Sequence, residues 1–231
     1  MNDVLDSIRH GLVVSCQAYP GEAMRTPDTM TRVAQAAARG GAVGIRAQGL
    51  DDIAAIRAAV DLPLIGLWKD GEDEVFITPT LGHALAVARA GAHVVAIDGT
   101  SRPRPDGLSL AETVKGIHDG SRALVMADCS TFDEGVAAAA SGADVVGTTL
   151  AGYTAYTSKG EGPDLELVAR LAATLDVPVV AEGRIHSPAQ AAAAVSAGAW
   201  AVVVGTAITH PTTITGWFAT AVTGAVEKRN A

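Results

Sequence analysis

Aromatic residues are scarce in this chain: three Trp, three Tyr and three Phe make up 4% of 231 residues. Hydrophobic residues still reach 48%, so any core is built from Ala, Val, Leu and Ile. Cysteine is scarcer. Cys16 and Cys129 each follow an apolar run, and two such residues give no disulfide framework. Buried, inert thiols in a reducing compartment are expected. Positive charge is in deficit: 17 Lys and Arg face 25 Asp and Glu, a net charge of -8. That argues against nucleic acid or an anionic membrane as partner, since both select basic patches. An anionic small molecule stays open, because a local site can oppose the global charge.

Other absences narrow the class further. No apolar run reaches the ~18 residues of a membrane span. The opening MNDVLDSIRHG has early acids and no apolar centre, unlike a signal peptide, so a cytoplasmic protein is expected. The six histidines show no His-x3-His spacing, so no metal site is expected. No GxGxxG follows the first apolar run, which removes the dinucleotide fingerprint.

A repeat is present instead. "GGAVGIRA", "AGAHVVAID", "SGADVVGTT" and "AGAWAVVVGTA" each run from Gly-Ala into apolar residues, and Gly41, Gly91, Gly142 and Gly198 are 50, 51 and 56 residues apart. Each follows an Ala-rich helical stretch (32–39, 81–90, 132–140 and 188–197). Glycine ends a helix in the left-handed conformation, and the β-branched run then enters a buried strand. Further apolar runs fall between the copies, giving eight strands near Leu12, Val43, Leu64, Val94, Ala123, Val145, Val179 and Ala201. Eight alternating units predict an α/β fold, a (β/α)8 TIM barrel as a single domain over 1–231. An open doubly wound sheet is the alternative; the regular period without a linker favours closure.

Barrels of this type do their chemistry at the C-terminal ends of the strands. The polar residues there are Cys16 and Gln17, Arg46 and Gln48, Lys69 and Asp70, Asp98, Asp128 and Cys129, Thr148 and Thr149, Glu182 and Arg184, and Gly205 and Thr206. Tyr153, close behind strand six, is a further candidate substrate contact. "AEGRI" and "VVVGTAI" place glycines directly after strands seven and eight, the recurrent phosphate position of this fold. Gly183, Arg184 and Gly205 are therefore candidate phosphate residues, against the plainer reading that the glycines only serve tight turns, with Arg184 read as a phosphate partner rather than a partner for Glu182. Lys69 and Glu182 end strands three and seven, which lie opposite one another. A lysine in a closed mouth gives up its proton more readily and suits proton abstraction next to a carbonyl. A plain Lys69–Glu182 salt bridge is the competing reading. The Pro/Gly-rich "DGTSRPRPDG" either covers the mouth or is a solvated crossover.

Taken in order, "GLVVSCQA", "GIRAQG", "ITPT", "DGTSRPRPDG", "MADCSTFDEG", "VVGTTLAGYT", "VVAEGRIHSP" and "VVVGTAIT" resemble the N-acetylmannosamine-6-phosphate 2-epimerases over nearly the whole chain. The resemblance implies a barrel that converts N-acetylmannosamine 6-phosphate to N-acetylglucosamine 6-phosphate in sialic acid catabolism. It implies no metal or nicotinamide cofactor, a sugar phosphate as small-molecule partner, and a homodimer. It places the catalytic lysine and glutamate on Lys69 and Glu182. The sugar-contacting glutamine, arginine and aspartate fall on Gln17, Arg46 and Asp128, and the phosphate loops on Gly183–Arg184 and Gly205–Thr206. Two departures stand out: Trp68 where a smaller aliphatic residue is expected, and Gly205-Thr206 with His210 where the pattern has Gly-Gly and an arginine. A Schiff-base aldolase and a non-catalytic sugar-phosphate-binding barrel remain the alternatives. For the aromatic tail, Trp217 and Phe218 either cap the barrel bottom or meet a second subunit.

Overall fold

The computed structural model describes residues 3–230; Met1, Asn2 and Ala231, at the ends of the expected 1–231 unit, lie outside the described residues. Eight parallel strands close in sequential order, β1 pairing with β8. They are β1 (Leu12–Cys16), β2 (Gly44–Gln48), β3 (Leu64–Leu67), β4 (Val94–Asp98), β5 (Leu124–Asp128), β6 (Val145–Gly147), β7 (Val179–Glu182) and β8 (Ala201–Val204). The expected (β/α)8 barrel is the fold observed.

The helices are α1 (Asp3–Ser7), α2 (Pro27–Arg39), α3 (Leu50–Ala59), α4 (Leu81–Arg89), α5 (Leu110–Gly120), α6 (Phe132–Ala140), α7 (Leu165–Thr174), α8 (Pro188–Ser196), α9 (Thr206–Thr209) and α10 (Pro211–Asn230). Their starts are written in local chemistry. Ser109 with Glu112, Thr131 with Glu134 and Ser187 with Gln190 form reciprocal capping boxes that satisfy the first free N–H groups.

The repeated Gly-Ala phrase has one mechanical job. Gly41, Gly91, Gly142 and Gly198 have φ of 97°, 111°, 92° and 101°. After each, the alanine N–H returns to a carbonyl five residues back: Ala42 to Ala37, Ala92 to Val87, Ala143 to Ala138 and Ala199 to Ala194. This is the Schellman stop, repeated after α2, α4, α6 and α8. It delivers the chain directly into β2, β4, β6 and β8.

Inside the barrel, Val13, Ile65, Leu67, Val94, Met126, Val180 and Val203 pack together, and Leu5 of α1 with Ile8 just after it closes the lower end. The Trp200 indole N–H donates to the Leu5 carbonyl at 2.8 Å, so Trp200, not Trp217, is the aromatic at the bottom. A second shell of small apolar side chains fills the space between strands and helices. The ring of helices is incomplete at the β8–β1 seam. There α9 is short, and α10 leaves Trp217, Phe218, Val222 and Val226 exposed, Phe218 at 70%. An apolar groove of about 430 Å³, lined by Leu12, Pro188, Ala191, Val195, Val204 and Ile208 among others, occupies the position a covering helix would take.

Candidate active site

The strand ends open on a cavity of about 600 Å³, within the range of small-molecule sites. Gln17, Lys69, Tyr153, Glu182, Gly183, Arg184, Gly205 and Thr206 all line it. Arg46 and Asp128 do not. They form the layer immediately beneath the floor.

That layer is a buried charge cluster. The side chain of Arg46 points into the barrel and is 1% exposed, Asp128 0% and Glu182 13%. Two guanidinium nitrogens of Arg46 donate to the two oxygens of Asp128, at 3.1 and 2.5 Å. Nη1 also lies 2.8 Å from Glu182 Oε2. Thr149 braces the same oxygens, its hydroxyl donating to Asp128 at 2.6 Å with Glu182 Oε2 at 3.2 Å. Thr148 holds the backbone of Glu182, donating to its carbonyl and accepting from its N–H.

The electrostatics follow from one cation shared by two carboxylates. Burial works against the charge on Arg46, but Asp128 and Glu182 outweigh it and hold the guanidinium proton more tightly than usual. Glu182 is pushed up from 4.5 to about 7, first by burial and then by Asp128, with Arg46 opposing. Lys69 moves the other way. Water reaches it through the mouth, but protein surrounds it on every other side of the concavity. Burial and then Arg46 lower its pKa, against the pull of Glu182 and Asp128.

Gln17 donates to the Ser15 hydroxyl at 2.8 Å, while its Oε1 is buried without a partner. Tyr153 is half exposed at the rim. Arg184 is more committed than the sequence reading held. Its Nε donates to the Gly162 carbonyl at 2.9 Å and its Nη1 to that of Ala151, so the side chain ties the loop after β6 to the loop after β7. As expected, it is not the partner of Glu182; that partner is Arg46. Gly183 and Arg184 both have positive φ, 107° and 54°, a bend that turns the chain sharply at the rim. Gly205 passes so close to β1 that a Cβ would stand 3.2 Å from that of Ser15.

The departures from the resemblance now have places. Trp68 does not line the cavity; its ring meets His83 edge-on at 4.4 Å. His210 does line it, packed against Tyr19 at 4.9 Å, and burial lowers its pKa. The loop 98–107 does not line the cavity. Arg102 reaches back to the Asp98 carboxylate at 2.7 Å, and Arg104 to the Asp98 carbonyl. The two thiols are buried and free, and burial raises both pKa values, that of Cys16 to about 12. Among the described residues no group of His, Cys, Asp or Glu is arranged to hold a metal ion, and no helix is long and apolar enough to cross a membrane.

Sequence reasoning passed over Arg25 and Tyr19, which line the cavity from the loop after β1. Arg25 donates to the Ala18 carbonyl at 2.8 Å, and Gln48, with its amide oxygen turned toward it, accepts from the same guanidinium. Nothing in a loop of this composition marks those positions. Ser15 had a signal: a hydroxyl inside an apolar strand whose side chains alternate between barrel interior and helix layer.

Fold and mouth together define a barrel enzyme with its charged groups at the carboxyl ends of the strands. The family model described as "Putative N-acetylmannosamine-6-phosphate epimerase" matches residues 30–224, and the chain belongs to that family. Two relatives are each named "Putative N-acetylmannosamine-6-phosphate 2-epimerase". The one from Cutibacterium acnes is 56% identical over 217 residues, 93% of this chain and 95% of that protein. The one from Caldanaerobacter subterraneus subsp. tengcongensis is 48% identical over 221 residues, 94% of this chain and 93% of that protein. The solved structure of the N-acetylmannosamine-6-phosphate 2-epimerase from Clostridium perfringens superposes with a TM-score of 0.91 at 40% identity, covering 94% of this chain and 96% of that one.

The buried cluster makes a stability prediction. Arg46→Met leaves two carboxylates facing each other without their cation, and is expected to cost about 3–5 kcal/mol, read as a lower guanidinium chloride midpoint. Arg46→Lys restores only part of this, because an ammonium cannot repeat the two-pronged contact with Asp128.

Proposed function

We propose that this protein is an N-acetylmannosamine-6-phosphate 2-epimerase, inverting C2 to give N-acetylglucosamine 6-phosphate in sialic acid breakdown. The observation that carries the reading is Lys69 and Glu182 lining one cavity from opposite strands, over a floor charged by Arg46 and Asp128.

In the open-chain sugar the C1 aldehyde acidifies the C2 proton. Lys69, its proton loosened by burial and by Arg46, takes that proton as general base. The electron pair moves to the C1 oxygen as an enolate. The fixed positive charge of Arg46 beneath the floor and the new Lys69 ammonium favour that anion. A proton returned to the opposite face of C2 inverts the centre. Glu182, with a proton affinity near neutrality, is suited to exchange protons on that side. Gln17 and Tyr153 contact the sugar, while Asp128 acts from below by fixing Arg46.

The phosphate binds at the rim over Gly183 and Arg184 and over Gly205 and Thr206. Glycines let the backbone approach the oxygens there, and Arg184 contributes charge while it braces the loop. Held away from C2, the phosphate supplies binding energy that positions the reacting carbon. His210, its pKa lowered, adds less charge than an arginine would. Arg25 lies on the same cavity wall and contributes a further cation.

The same reading makes the protein a homodimer. The exposed apolar face of α10 and the open groove at the β8–β1 seam have matching chemistry, so α10 of one copy fills the groove of the other.

Three outcomes follow from the proposal. In deuterated water, turnover of N-acetylmannosamine 6-phosphate carries deuterium into C2 of the product by NMR, and Lys69→Ala abolishes turnover; absence of the C2 label would refute proton transfer. A second outcome concerns pH. Lys69 must be neutral to act, so the rate rises as pH passes through its pKa. Glu182 raises that pKa, so Glu182→Gln moves the residual activity's acid limb to lower pH; a limb that stays put or moves up removes the coupling. The third is read by analytical ultracentrifugation. The wild type sediments as a dimer, and Phe218→Asp combined with Val222→Asp as a monomer; a monomeric wild type would overturn the dimer.

A further inference from the structure

The stretch "ITPT" (Ile77–Thr80) carries none of the charged groups of the mouth, yet it lies against the segment that bears Lys69. β3 and β4 pair at only two positions, Ile65 with Val94 and Gly66 with Val95. Beyond them the two strands part, and residues 76–78 enter between them. Ile77 bridges Lys69 in antiparallel sense. The Asp70 N–H donates to the Phe76 carbonyl at 3.1 Å, and the Thr78 N–H to the Trp68 carbonyl at 2.8 Å. On the other side, the Asp98 N–H donates to the Ile77 carbonyl at 3.1 Å.

Thr78 is the pivot of this insertion. Its hydroxyl accepts the Trp68 N–H at 3.1 Å and donates to the Ala96 carbonyl of β4 at 2.6 Å. One hydroxyl therefore replaces the direct ladder bond that the separated strands no longer make. The residue is 0% exposed and has φ of 47°. A β-branched residue at positive φ is a steric outlier, and one directly before a proline is ordinarily extended. Such strain persists only where surrounding contacts enforce it, and it gathers at functional sites. A glycine would meet the backbone demand without strain, but it would carry no hydroxyl.

We infer that Thr78 is the positioning residue for Lys69: its hydroxyl, wedged between β3 and β4, fixes the backbone from which Lys69 enters the mouth. Further along the same stretch, Thr80 caps α4 and pairs with His83 Nδ1 at 2.6 Å, and His83 Nε2 lies 3.1 Å from the Asp70 carboxylate. Lys69 is thus held through its neighbour on either side, by Thr78 at Trp68 and by Phe76 and His83 at Asp70. The inference rests on the reading of Lys69 as the base.

Its test compares Thr78→Val, which keeps the shape and removes the hydroxyl, with Thr78→Ser, which keeps the hydroxyl. Turnover of N-acetylmannosamine 6-phosphate and thermal unfolding are measured on both, beside Lys69→Ala. A base displaced by about 1 Å loses up to about 100-fold in rate. Thr78→Val is therefore expected to lower kcat about 10- to 100-fold with KM unchanged, and Thr78→Ser to restore it. Should the valine variant not fold, Thr78→Cys, of similar volume and a far weaker donor, carries the same comparison. Wild-type kcat in the hydroxyl-free variant overturns the inference. So does a loss of kcat that the serine variant fails to rescue. An inactive Lys69→Ala beside a fully active Thr78→Val leaves the base in place and removes only Thr78. An active Lys69→Ala removes the base itself.

Discussion

A guanidinium buried to 1% exposure must be neutralised where it lies. Arg46 is that group, and the upper half of the barrel is arranged around it. Asp128 gives it two oxygens, Glu182 a third contact, and Thr149 reaches both carboxylates. The cluster draws on β2, β5, the end of β6 and β7, so it spans much of the barrel's circumference. Once Asp128 has taken the two-pronged contact, Glu182 is left with one, at the edge of the cavity. The division of labour between the two carboxylates therefore comes from geometry. One serves as a buried counter-ion, while the other keeps a high proton affinity and reaches the mouth.

The barrel was legible because its punctuation is local. A Schellman stop needs glycine at one position, and the chain repeats it at Gly41, Gly91, Gly142 and Gly198. The capping boxes are equally local, as at Ser109 and Glu112. The strand ends were legible for the same reason, since apolar runs stop where the mouth begins. That places Lys69, Glu182 and Gly205 at the rim without any knowledge of their partners.

Partnership was harder to read, because it depends on depth and on contacts distant in sequence. Arg46 looks like another strand-end residue in "GIRAQ". Alternation along β2 turns it inward with Gly44 and Gln48, while Ile45 and Ala47 join the core between strands and helices. Two residues before the strand's end, it falls beneath the cavity rather than on it. Arg184 looks free to hold phosphate, yet carbonyls at Ala151 and Gly162 claim two of its nitrogens. Those partners lie in an irregular loop with no periodic signal. The aromatics of α10 were visible, but whether they fold back or face outward is a tertiary matter. The incomplete helix ring at the β8–β1 seam gives the physical reason for looking to a second chain.

The charge balance of the mouth connects these observations. Within the floor cluster Arg46 offsets one of the two carboxylates, which leaves one negative unit for Lys69 to balance, while Arg25, Asp70 and Arg184 lie elsewhere on the cavity wall. One proton on either Lys69 or Glu182 leaves these four groups neutral: ammonium with carboxylate, or amine with carboxylic acid. Burial lowers the first pKa and raises the second, which draws the two proton affinities toward each other. Under the proposed mechanism, taking a proton from C2 puts one positive unit on Lys69 as one negative unit forms on the sugar, so the total charge of the site is the same before and after the step.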